Sequence, residues 1–196
     1  ATYDVEGIRV RVSAAAGMVH SPADGRDLDE LLRRADVAMY KAKSEGRNRL
    51  HVYQKALNFK RDENRAMALQ LRSHIDQRNL TVVYQPIVDA RTRRTKGVEA
   101  LVRWQHARLG FVSPGEFVPI AEQSGLMRQL TTLVIRKVAA QIRRWAQRGI
   151  DIKVSANLST IDLADAALPD RITAILREHG VPVDRLAAHR HRAMDE

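Results

Sequence analysis

The residues best equipped for chemistry lie on two short segments with strand-like alternation. In KGVEALVR (96–103) Glu99, Leu101 and Arg103 share one face, and Val98, Ala100 and Val102 share the other. The first face pairs a carboxylate, a hard oxygen ligand for Mg2+ or Mn2+, with a guanidinium that forks onto phosphate. In DIKVSANL (151–158) Ser155 and Asn157 oppose Ile152, Val154, Ala156 and Leu158, and Asn157 adds an amide carbonyl oxygen. Lys43 and Arg47, four apart, would form a cationic pair on one face of a helix. His189 and His191 stand two apart near the C-terminus with no further ligand cluster beside them in the sequence, so no zinc role is expected of them. Each also has a plainer reading: a solvated strand carboxylate, a surface guanidinium, a turn amide, a solvated helix face. Residue type alone does not separate the two.

The elements that must position these groups follow from periodicity and punctuation. Residues 8–19 (IRVRVSAAAGMV) begin with period-two alternation and read as a strand, followed by a turn at Ser21-Pro22-Ala23-Asp24-Gly25. Asp27 reads as an N-cap with Glu30 at the third position of a capping box, and the helix behind it runs to Gly46. Residues 49–53 read as a short closing strand. A charged connecting helix is expected over 54–79, with Met67, Leu71 and Ile75 on one stripe. Beyond it strands (80–88, 96–103, 151–158) alternate with helices, which predicts a parallel α/β sheet. Ser113-Pro114-Gly115-Glu116 carries cap, proline and glutamate in helix-start order. A long amphipathic helix follows through Leu130, Leu133, Val134, Val138, Ile142 and Trp145 to Gly149, and a shorter one over 168–179 ends at Gly180.

Composition sets outer limits. The chain has 196 residues, 44% of them hydrophobic, which is enough for a packed core, and it has no cysteine, which excludes disulfides and thiolate metal sites. No apolar run has the length of a membrane span and no signal-peptide pattern is present, so a cytoplasmic location is the expectation. The formal charge is +10, but the arginines are scattered and aromatics make up only 5%, so no stacking platform for nucleic acid accompanies them.

Two blocks carry a family resemblance. Ala35-Asp36-Val37-Ala38-Met39-Tyr40-Lys41-Ala42-Lys43-Ser44-Glu45-Gly46-Arg47-Asn48-Arg49 resembles the C-terminal helix of GGDEF diguanylate cyclase domains. Tyr84-Gln85-Pro86-Ile87, Glu99-Ala100-Leu101-Val102-Arg103-Trp104, Pro114 with Phe117-Val118-Pro119-Ile120-Ala121-Glu122, Ser124-Gly125-Leu126 and Ser155-Ala156-Asn157-Leu158-Ser159 occur in the order found in EAL cyclic-di-GMP phosphodiesterases. The resemblance implies a tandem GGDEF–EAL signalling protein. It divides the chain into a GGDEF remnant (1–53), a linker helix (54–79), the N-terminal half of an EAL domain (80–186) and a non-homologous tail (187–196). The implied fold is α/β: a partial (β/α) barrel with about three of eight strands, preceded by an α+β remnant.

By that resemblance Glu99 and Asn157 are metal ligands for Mg2+ or Mn2+. Gln85, Leu101 and Arg103 contact the nucleotide, with Arg103 on a phosphate, and Lys43 with Arg47 is a remnant of a GTP-phosphate site. The family ligand is cyclic-di-GMP. Arg33-Arg34-Ala35-Asp36 matches an RxxD pattern, but that inhibitory motif belongs upstream of the GGDEF signature, so the match is coincidental. The signature itself would precede Ala1. The ExTE strand, the paired aspartates and the later lysine, glutamate and glutamine of an EAL domain are absent from these residues. The expectation is therefore a truncated, catalytically incomplete chain whose third strand is an open edge prone to self-association. Residues 187–193 fit neither strand nor helix. Dropping one base from suitable codons would restore Leu-Thr-Val-Thr-Glu, which suggests a frameshift. The competing functional classes are a catalytically dead cyclic-di-GMP-binding or interaction module and, more remotely, a basic nucleic-acid-binding protein.

Overall fold

The computed structural model describes residues 2–5, 8–46 and 48–190. They form two compact units, Ala1–Ala66 and Met67–Glu196. In the first unit, β1 (Thr2–Val5) and β2 (Ile8–Arg11) make an antiparallel pair, and β3 (Ala15–Met18) pairs in parallel with β4 (Arg49–Val52). The single strand expected over 8–19 is thus two strands in separate sheets. Between β3 and β4 runs α1 (Leu28–Ser44). Asp27 caps it by accepting from the Glu30 amide at 3.0 Å. Glu30 does not complete the expected box, because its carboxylate turns to Arg34 at 2.5 Å instead. The helix lies directly on β3: a Cβ placed on Gly17 would come within 2.0 Å of the Ala35 carbonyl oxygen. Val37, Ala38 and Tyr53 are the buried centre of this unit.

The connecting helix α2 (Lys55–Asp76) crosses the boundary at residue 66. In the second unit Leu71 and Ile75 from its last turns are buried in a cluster with Trp104, Phe117, Leu130 and Leu133. The unit's sheet runs β5 (Thr81–Val88), β6 (Thr95–His106), β8 (Val154–Leu158), β9 (Leu186–Arg190). A short β7 (Gly110–Val112) folds back on the end of β6 as a hairpin. Pairs β6–β8 and β8–β9 are parallel, and β5–β6 is antiparallel. The expectation of an all-parallel sheet is corrected at its first pair: the β5–β6 connection is a short polar turn closed by Asp89, whose carboxylate accepts from the Arg91 and Thr92 amides at 3.0 and 2.7 Å. A parallel pair would need a much longer crossover.

Crossovers of that kind join the other strands. Between β6 and β8 lie α3 (Pro114–Gln123) and α4 (Met127–Ala146); between β8 and β9 lie α5 (Thr160–Leu163), α6 (Leu168–Glu178) and a 3-10 turn, Val183–Arg185. Ser113 and Glu116 form the full reciprocal capping box at the start of α3. The helices cover one face of the sheet: Val98, Ala100, Val154 and Ala156 are buried among Ile135, Val138 and Ile142 of α4 and Ile175 and Leu176 of α6. The apolar face of α4 is covered: Leu130, Leu133, Ile135, Val138 and Ile142 are all buried. The architecture is a segment of an α/β barrel with an unclosed sheet.

The tail is also corrected. Leu186–Arg190 forms β9, parallel to β8, so β8 is an interior strand and the open edges of the sheet are β5 and β9. Alanine and histidine at 187–189 are weak strand formers, but backbone pairing along β8 and the burial of Leu186 against the helical layer supply what propensity does not.

Candidate functional site: an oxygen-donor pair on the uncovered face of the sheet

Because the even-numbered residues of β6 and β8 pack on the helices, their odd-numbered neighbours face the other way. Glu99, Leu101 and Arg103 of β6 and Ser155 and Asn157 of β8 are accordingly half-buried on the uncovered face, as the alternation predicted. In the β6–β8 register Glu99 lies opposite Ser155, and the Asn157 side chain reaches back along the diagonal to donate from Nδ2 to Glu99 Oε1 at 2.6 Å. Gly97 makes this register accessible: a Cβ there would sit 2.9 Å from the Lys153 carbonyl oxygen, which instead accepts from the Val98 amide at 2.9 Å.

The Asn157 end of β8 is pinned from behind. Asp162 is buried, and its Oδ2 accepts from Thr131 Oγ1 (2.8 Å), Ser159 Oγ (2.9 Å) and the Ser159 amide (3.1 Å). This ties the first residue beyond β8 to α4. The short helix α5 that carries Asp162 was not expected, although Ser159-x-x-Asp162 is a capping-box signature and both halves of the box are present.

The structure brings some of the expected site residues together and not others. Gln85 is the cross-strand partner of Glu99 in the β5–β6 ladder, so both project from the same face as immediate neighbours. Leu101, opposite Val83, is the next residue along that face. Arg103 lies four residues beyond Glu99, about 13 Å along the strand. Its guanidinium donates to the Val102 carbonyl at 2.9 Å and sits 6.0 Å from the centre of the Phe111 ring. Phe111, on β7 and exposed, was not singled out from the sequence. Its only signal was the short Leu109-Gly110-Phe111 turn, whose Gly110 adopts φ 72°. Trp104 is fully buried against Phe117. Lys43 is exposed on the last turn of α1. Arg47 and His191 lie outside the described residues.

The donor set suits a hard divalent cation: one carboxylate and one amide, already in contact, with a second carboxylate oxygen spare. The amide would have to turn over to present Oδ1, since Nδ2 faces Glu99 in the present arrangement. Nearby, burial drives the Tyr84 phenol up to about 12, and its ring packs edge-on against Trp145 on the helix-facing side. Among the described residues no three His, Cys, Asp or Glu side chains gather in a metal-holding group, so any cation here would also rest on amide oxygen. A separate open cleft of about 480 Å3, lined by Ile75, Arg78, Arg128, Gln129, Thr132, Leu133 and Arg136, shares no residue with this pair. No helix among the described residues is long and apolar enough to cross a membrane.

The open α/β barrel segment has clear counterparts. A family model described as the EAL domain matches residues 68–188, and one described as diguanylate cyclase, GGDEF domain, matches residues 1–49. The chain belongs to the EAL domain family, here joined to a GGDEF segment in the tandem arrangement of cyclic-di-GMP proteins. It is 36% identical over 185 residues to the bifunctional diguanylate cyclase/cyclic di-GMP phosphodiesterase MucR of Pseudomonas aeruginosa, covering 94% of this chain and 27% of that protein. It is 34% identical over 171 residues to the cyclic di-GMP phosphodiesterase PdeR of Escherichia coli, covering 87% of this chain and 26% of the relative. Among solved structures, the PaMucR phosphodiesterase in complex with c-di-GMP aligns with TM-score 0.60 at 35% identity, over 63% of this chain and 50% of that one. The chain thus spans about a quarter of the length of these curated relatives and half that of the solved domain.

Proposed function

We propose that this chain carries part of a cyclic-di-GMP phosphodiesterase site, in which Glu99 and Asn157 are oxygen ligands for Mg2+ or Mn2+. The observation that carries the reading is the 2.6 Å contact between these two side chains across β6 and β8, on the sheet face that the helices leave uncovered. Gln85 and Leu101 line the nucleotide side of the pair, and Arg103 is the phosphate contact. Phe111 holds the Arg103 guanidinium over its ring, which limits the guanidinium's freedom before a phosphate arrives. The Asp162–Thr131–Ser159 bonds hold the end of β8 so that Asn157 keeps its place.

The parent reaction is hydrolysis of one phosphodiester of cyclic-di-GMP to linear pGpG. A divalent ion, when bound, supplies charge neutralisation at the phosphoryl oxygens and a more acidic water. Two-ion cleavage needs several carboxylates, and the pair supplies one. The pair by itself is therefore catalytically incomplete. In the same reading Lys43 and Arg47 are a vestige of a GTP-phosphate contact, the location is cytoplasmic, where such nucleotides are made, and the open β5 and β9 edges favour self-association.

Incubating the purified chain with cyclic-di-GMP and Mg2+ or Mn2+ tests this. No pGpG above a protein-free control is expected. Accumulation of pGpG that disappears in Glu99→Ala would show that the chain completes the site by itself and would overturn the proposal of an incomplete one.

A further inference from the structure

The strand that periodicity did not announce places a third ligand-bearing side chain beside the oxygen pair. In the β8–β9 register Asn157 lies opposite His189, and Ser155 lies opposite Ala187. Register partners in a parallel ladder project to the same face. Leu186 packs with the helical layer, so Ala187 and His189 face away from it, toward the side that carries Glu99 and Asn157. Across β6, β8 and β9 the uncovered face therefore presents Asn157 beside His189, with Glu99 two residues back on β6 and met by the Asn157 side chain along the diagonal. The small side chains Ser155 and Ala187 leave the floor beside these residues open. The His189 side chain is exposed and makes no hydrogen bond or ion pair with another described residue.

We propose that Glu99, Asn157 and His189 form a mixed carboxylate–amide–imidazole cation site that prefers Zn2+, Co2+ or Ni2+ over Mg2+. The inference rests on the reading of Glu99 and Asn157 as ligands and adds the imidazole to it. Three points support it. The outer strands are two strand spacings apart and Glu99 lies two residues out of line with His189, which separates their backbones by about 12 Å, a span that a glutamate and a histidine extended toward each other can bridge through one ion. Asn157 sits between them and already touches Glu99. Imidazole nitrogen binds borderline metals far better than it binds Mg2+, so adding His189 to two oxygen donors changes which metal the face selects.

The test uses the full 196-residue chain without an affinity tag. Zn2+ and Mg2+ binding is followed by titration calorimetry, and Co2+ binding by its visible absorption. The variants are His189→Ala, Glu99→Gln and His191→Ala. The expected result is one Zn2+ or Co2+ per chain, weakened more than about tenfold by either His189→Ala or Glu99→Gln, since even the loss of an indirect partner costs that much. His191→Ala should leave binding unchanged, and Mg2+ affinity should not respond to His189→Ala. Loss of Zn2+ binding in His189→Ala and His191→Ala, but not in Glu99→Gln, would identify a chelate within the tail and overturn the proposal. Mg2+ or Mn2+ binding that needs Glu99, with Zn2+ binding indifferent to His189, would overturn the proposal while leaving the oxygen pair standing. Absence of binding by any of these ions would overturn both.

Discussion

The two units of this chain differ in how much interior stands behind the residues that were expected to do chemistry. In the N-terminal unit the buried centre is Val37, Ala38 and Tyr53, and the cation pair expected there leaves Lys43 exposed at the end of α1. In the C-terminal unit two clusters of eleven buried residues each sit behind the sheet, and Glu99 and Asn157 are in contact on its other face. A deep core fixes strand register, and register places a side chain on one strand within 2.6 Å of one on another. A thin core holds its backbone by fewer contacts, and the expected site residue described there, Lys43, is exposed. Function on the uncovered face is thus a consequence of packing on the covered one.

That contrast predicts unfolding in two steps, with the N-terminal unit melting first. Both tryptophans, Trp104 and Trp145, are in the C-terminal unit. Tryptophan fluorescence should therefore report only the later transition, and far-ultraviolet circular dichroism should report both. One coincident transition by the two probes would erase the distinction.

Substitutions sharpen it. Trp104→Ala should have the largest effect, costing the second transition about 3–5 kcal/mol, because the ring is fully buried against Phe117, and it should leave the first transition in place. Gly17→Ala should remove the first transition alone, by about 1–3 kcal/mol or more, because a Cβ there meets the α1 backbone. Asp162→Ala should cost the second unit about 1–3 kcal/mol, since it strips Thr131 and Ser159 of their shared acceptor. Its hydrogen-exchange signature should be confined to the end of β8 and the start of α5.

The smallest effect concerns pH. Glu45 is held down to about 2 by side-chain hydrogen bonds from Lys41 and then His51, which link the end of α1 to β4. A carboxylate with a lowered folded-state pKa contributes stability above its unfolded value, near 4.5, and that contribution fades as the pH falls toward 2. The carboxylate is exposed, so the first transition should fall by a few degrees at most between pH 5 and pH 2 beyond the fall seen in Glu45→Gln. Added salt should remove the difference.

What the sequence disclosed and what it withheld divide along physical lines. The facing of Glu99, Arg103 and Asn157 followed from strict alternation because one side of each strand is apolar. The start of α3 at Ser113 followed from side chains bonding their own backbone. The alternation of strands and helices implies a parallel order that fails at β5–β6, because the turn closed by Asp89 carries no strong glycine signal of a hairpin. β7 is too short to show a period. β9 was missed because its residues are poor strand formers whose conformation is set by pairing with β8, a non-local effect that no window of sequence contains. Missing β9 also hid His189 from the site.

The central claim is that Glu99 faces a catalytic ion. It is tested most directly by the rate of pGpG formation in a chimera that joins residues 80–186 to an intact EAL C-terminal half. The chimera should hydrolyse cyclic-di-GMP with Mg2+ or Mn2+, and Glu99→Ala should abolish turnover without unfolding it. Val102→Ala, on the opposite face of the same strand and packed on the core, should lower stability and spare the rate. A chimera in which Glu99→Ala keeps full turnover while a folded Val102→Ala has none would contradict the account.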